Sequence, residues 1–61
     1  MTSFEGLGDG DVFLFDGQGN GLARVAKMRG KTQKERWNRA LALAHQLNAA
    51  LEDFKKVLHE T

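Results

Sequence analysis

The sequence predicts an α+β fold, a β-hairpin followed by one long amphipathic helix (ββα) that pairs as a homodimer through helix–helix packing. Three observations carry that expectation. From Thr32 to His59 there is no Gly or Pro, and Ala, Leu, Lys, Glu, Gln and Arg fill most positions, residues that lose little rotamer freedom in a helix. Upstream, Val12-Phe13-Leu14-Phe15 is a short apolar run with strong strand propensity, followed by a Gly-rich turn and a second strand-like stretch. Finally, the helix carries more apolar surface than one hairpin can cover.

The chain reads as one domain over residues 1–61, divided into an irregular arm (1–10), a hairpin (11–29) and a helix (32–59). Residues 1–10 are Gly-rich, with Phe4 and Leu7 as their bulky anchors. The stretch from Asp16 to Gly21 has several positions suited to positive φ and reads as the hairpin turn. Leu22 to Met28 follows as the second strand, where Arg24 and Lys27 mark an edge or partly solvated position.

Thr32-Gln33-Lys34-Glu35 has the spacing of a capping box. Its Thr hydroxyl accepts from the Glu amide while the Glu carboxylate reaches back to the Thr amide. Glu35/Arg39 and Glu52/Lys56 are i,i+4 pairs in the favourable orientation.

With Trp37 as position a of a heptad, a holds Trp37, Ala44, Leu51 and Leu58, and d holds Ala40, Leu47 and Phe54. Position g adds Leu43, Ala50 and Val57, and e adds Leu41. That band exceeds the ~100° stripe of a surface helix. A helix of this length is a rod roughly 40 Å long, whereas the strands reach only about 17 to 25 Å. Half of the helix therefore stays bare in a monomer. Phe13 and Phe15 also cannot share a sheet face with Val12 and Leu14. The expected dimer or partner interface is Phe13, Phe15, Leu43, Leu47, Leu51, Phe54 and Leu58.

Size and composition point the same way. At 61 residues with no Cys, the chain has neither disulfides nor thiolate zinc sites to reinforce a marginal core, which leaves association. A net charge of +1 is unlike that of a histone-like chain. No apolar run approaches the ~20 residues of a membrane span. The expectation is a soluble cytoplasmic protein without membrane contact.

Charge is unevenly placed. Before Gly17 stand Glu5, Asp9, Asp11 and Asp16 with no base, while residues 24–39 carry seven bases against Glu35 alone, a local +6. Arg29, Lys31, Lys34, Arg36 and Arg39 gather about the helix N-terminus, where the macrodipole favours anions. With Trp37 able to stack on a base, they form a candidate anion or nucleic-acid site. The alternative is a solvated face, or one paired with the acidic arm. Gly30-Lys31-Thr32 resembles the end of a phosphate-binding P-loop, but Val25 stands where the motif needs its first Gly.

Other constellations carry less. Asp16-x-Gln18-x-Asn20-Gly21 resembles the opening of an EF-hand loop, yet its twelfth position is Lys27. His45 and His59 are two heptads apart, Ser3 has no His beside it in sequence, and no catalytic set, metal site or cofactor is expected. The expected function is a non-enzymatic interaction module, such as an inhibitor or adaptor of a phage or mobile element acting on a host protein. Nucleic-acid or nucleotide binding through residues 24–39 is the alternative.

Overall fold

The computed structural model describes residues 2–60. Strands β1 (Ser3–Gly6), β2 (Asp11–Phe15) and β3 (Gly21–Lys27) form an antiparallel meander in the order β1-β2-β3, and helix α1 (Gln33–Glu60) follows. The α+β class stands, and the helix bounds fall within one residue of those expected. The strand count does not: the expected arm, residues 1–10, contains β1, so the order is βββα around a three-stranded sheet.

Composition hid β1. Ser3-Phe4-Glu5-Gly6 has one strong strand former, and its conformation is imposed from outside. On one side it pairs with β2 in the register Phe4↔Leu14 and Gly6↔Val12. On the other, the Asn48 side chain stands in for a further strand. The Phe4 amide donates to Asn48 Oδ1 (2.8 Å), and Asn48 Nδ2 donates to the Phe4 carbonyl (2.9 Å). One residue's outward backbone pair on this edge is thereby satisfied.

Gly6 and Gly10 set how closely sheet and helix approach. A Cβ on Gly6 would lie 2.7 Å from the Ala40 carbonyl carbon and 2.8 Å from the Leu41 nitrogen, so β1 crosses directly against helix backbone. Gly10 ends the β1–β2 turn at φ +97°, with its Cβ site 2.9 Å from the Met28 carbonyl oxygen. Its own carbonyl accepts from the Met28 amide at 2.7 Å. That bond ties the end of β3 to the start of β2.

The core is small. Val12, at 0% exposure, meets Ala40 and Ala44 of α1, and Phe4, Ala26, Met28, Leu43 and Leu47 pack around them. The two alanines let β1 and β2 approach the helix axis. Alternation along β2 sends Phe13 and Phe15 to the opposite face. There their ring centroids are 6.1 Å apart, and both rings lie over Gly21. The β2/β3 register shifts twice, leaving Leu22 and Val25 without opposite residues. In β3 only Ala26 is partly buried, in keeping with an edge strand.

Helix α1 outruns the sheet. Its 28 residues span roughly 42 Å at 1.5 Å per residue, close to the molecule's 44 Å long dimension. The core contacts end at Leu47, and the β1 clamp sits at Asn48.

Candidate functional site

The basic segment begins where β3 gives way to α1, and its geometry is set by backbone capping. Thr32 Oγ1 accepts from the Glu35 amide at 3.1 Å, as the capping-box spacing predicts. The reciprocal bond differs. Glu35 Oε2 accepts from the Lys31 amide at 3.3 Å rather than from Thr32, satisfying a donor one residue earlier. Glu35 Oε1 holds Arg39 Nη2 at 2.7 Å, so one carboxylate serves cap and ion pair together.

Two of the bases reach back to the linker. Arg36 Nη1 donates to the Gly30 carbonyl at 3.0 Å, and Arg39 Nη1 donates to the Arg29 carbonyl. The strand-to-helix connection is thus laced to the first helical turns by guanidinium–carbonyl bonds. Charge-assisted bonds of this kind are among the stronger ones. They also explain in part why cations stand at a helix N-terminus against the macrodipole: these two bind backbone oxygens.

The remaining bases do not form one patch. Lys34 and Trp37 line an open groove of about 480 Å³ with Gly8, Gln33 and Asn38. Arg29 lines another, of about 340 Å³, with Lys27, Met28, Gly30 and Arg36. Lys31 is exposed between them in sequence. Trp37 is 44% exposed and stands outside the Val12 core. Among the described residues, acid–base pairing with the N-terminal segment is limited to Arg24 Nη1 and Asp11 Oδ1, at 3.8 Å.

The apolar candidates divide into three groups. Leu43 and Leu47, expected at the dimer or partner interface, pack instead against this chain's own Val12 core, because the sheet sits on that stretch of the seam. Phe13 and Phe15 lie partly buried on the sheet face away from α1. Leu51 is partly exposed, while Phe54, Val57 and Leu58 are 53%, 58% and 61% exposed. These last four continue the seam that Ala40, Ala44 and Leu47 begin.

The turn at Asp16 is an Asx turn. Asp16 Oδ1 accepts from the amides of Gln18 (2.8 Å) and Asn20 (2.9 Å), and Oδ2 accepts from Asn20 Nδ2 (3.2 Å). The Asn20 amide, then that of Gln18, holds the Asp16 carboxyl below its ordinary value. The oxygens that would face a cation in a calcium loop are occupied by the turn's own donors, and Gly19 supplies a positive φ of +85°. Among the described residues, no group of three His, Cys, Asp or Glu is placed to hold a metal ion. His45 and His59 are both exposed.

The residue that sequence reading missed is Asn48, which holds the β1 edge beside the helix. Its one visible signal is a polar side chain at heptad position e, the position Leu41 fills one heptad earlier. No helix among the described residues is long and apolar enough to cross a membrane. No family model, curated protein or solved structure matches the chain.

Proposed function

We propose that this chain is a small non-enzymatic interaction module that acts as a homodimer and presents its remaining surface to another protein. The observation that carries this reading is the continuation of the helical seam past the sheet, with Phe54, Val57 and Leu58 each more than half exposed. A chain this small gains much from burying such side chains, at about 1.5–3 kcal/mol for each large one fully removed from water. The open sheet face, with Phe13 and Phe15, and the β3 edge supply a second surface on which a protein partner could add a strand or dock side chains.

Nucleic-acid binding is the second reading, favoured by the exposed Trp37 beside Lys34. It is weakened by the engagement of Arg36 and Arg39 with linker carbonyls, which leaves Arg29, Lys31 and Lys34, with Arg24 and Lys27 upstream, as the exposed bases. A salt titration with single-stranded DNA, duplex DNA and RNA separates the readings. Under the first, no binding is detected at low salt. Micromolar binding that weakens steeply with salt, and is blunted by Lys31→Ala and Lys34→Ala, would replace it with the second. Arg36 and Arg39 are poor probes, because changing them also loosens the linker.

A further inference from the structure

We infer that Asn20 is a self-modifying site, whose side-chain amide is lost spontaneously in the folded chain through attack by the Gly21 nitrogen. The sequence offers three junctions of this kind, Asp9-Gly10, Asp16-Gly17 and Asn20-Gly21. The fold separates them.

The reaction needs an electrophilic side-chain carbonyl and a reachable backbone nitrogen on the next residue. Glycine is the favoured neighbour, because no Cβ obstructs the approach and its backbone is permissive. At Asp9-Gly10 the nitrogen is withdrawn: Gly10 is buried, and its amide donates to the Leu7 carbonyl at 2.9 Å. At Asp16-Gly17 the electrophile is withdrawn. The Asp16 carboxylate accepts from the Gln18 and Asn20 amides and from the Asn20 side chain. The Asn20 amide, then that of Gln18, keeps it ionised, a form with no good leaving group.

Asn20-Gly21 has neither protection. Both residues are exposed, and a neutral amide can expel ammonia. The Asp16 amide donates to the Asn20 carbonyl at 3.0 Å, which makes Asp16 and Asn20 a hydrogen-bonded pair. The next pair, Phe15↔Gly21, is then of the other kind, with its amides turned away from each other. The Gly21 N–H therefore faces the open side of β3, where no further strand lies among the described residues. The Asn20 side chain is restrained by its Nδ2 bond to Asp16 Oδ2, which is 3.2 Å long and exposed. Asn38 and Asn48 lie inside α1, where the following amide is committed to the helical ladder. Nor does the turn need glycine at 21 for its shape. A Cβ there would meet ring carbons of Phe15 and Phe13 at 3.6 and 3.9 Å, in ordinary contact, and the positive-φ glycines are Gly10 and Gly19.

Water is the only co-reactant. The Gly21 nitrogen bonds to Asn20 Cγ and gives up its proton, and ammonia leaves, closing a cyclic imide. Water then opens the imide at one carbonyl or the other. One opening gives aspartate at position 20, which sets a second carboxylate beside that of Asp16 in place of the Nδ2 bond. The other gives isoaspartate, with the main chain rerouted through the former side-chain carbon. The carbonyl that accepted the Asp16 amide is then a carboxylate off the main chain, and the β2–β3 turn is loosened irreversibly.

The folded wild-type chain, held for weeks at physiological temperature, should gain the mass of one amide-to-acid conversion, located at residue 20 by peptide mapping. The same peptide should accept isoaspartate-specific methylation. Gly21→Ala, checked as folded by circular dichroism, should convert on the order of tenfold more slowly, since a Cβ restricts both approach and backbone. In the converted chain the Asp16 amide should exchange hydrogen faster than in fresh protein; unchanged exchange would overturn the loosening of the turn. Isoaspartate appearing first at position 9 or 16 would overturn the assignment. So would equal rates in wild type and Gly21→Ala, or a folded chain that stays intact while a urea-unfolded sample converts.

Discussion

Gly6→Ala should remove most of the protein's stability at room temperature. The added methyl would sit 2.7 to 2.9 Å from three backbone atoms of Ala40 and Leu41, where relaxed carbon contacts need about 3.5–4.0 Å. Helix backbone cannot move aside as a flexible side chain can, so β1 must lift away. That movement would strip Phe4 from the Val12 cluster and lengthen both Asn48 bonds. Overpacking commonly costs about 1–3 kcal/mol, and an unyielding neighbour places this case at the upper end. A core of this size rarely supplies more than about 3–5 kcal/mol in total. Gly8→Ala is the control: its Cβ site meets only the end of the Gln33 side chain, at 3.5 Å. Urea unfolding that gave the two variants equal stability would refute this description of the sheet–helix contact.

Asn48→Ala should cost at least about 2 kcal/mol, two bonds at roughly 1 kcal/mol each, with the desolvation of whichever Phe4 group is left unpaired added to that. Its signature is local. The Phe4 amide, bound to Asn48 Oδ1 at 2.8 Å, should lose hydrogen-exchange protection before the β2–β3 amides do. Asn48→Asp keeps an acceptor for that amide but sets a carboxylate against the Phe4 carbonyl, so it should not restore stability at neutral pH. Unchanged protection at Phe4 in the Ala variant would contradict the edge-clamp role.

These residues also mark where the sequence was legible. Helix α1 could be read from propensity and heptad pattern because those signals are local and repeat over 28 residues. β2 could be read from its run of large apolar residues. β1 could not, because what makes it a strand lies 44 residues away in Asn48 and in a glycine whose importance depends on what passes behind it. The basic segment was legible as composition but not as arrangement. A count of charges does not tell a guanidinium bound to the Gly30 carbonyl from a lysine open to solvent. Likewise the heptad reading found the whole seam, while the division at Leu47 between the part covered by the sheet and the bare part required the fold.

That division is the centre of the account, and sedimentation equilibrium over micromolar to hundreds of micromolar concentrations tests it most directly. The wild-type chain should pass reversibly from 6.8 kDa towards twice that mass as concentration rises. Phe54→Glu lies outside the Val12 core, so it should remain folded by circular dichroism and stay monomeric throughout. A wild-type chain that stays at the monomer mass over the whole range, or a Phe54→Glu variant that associates as strongly, would contradict the claim that the bare half of the helix is a self-pairing surface.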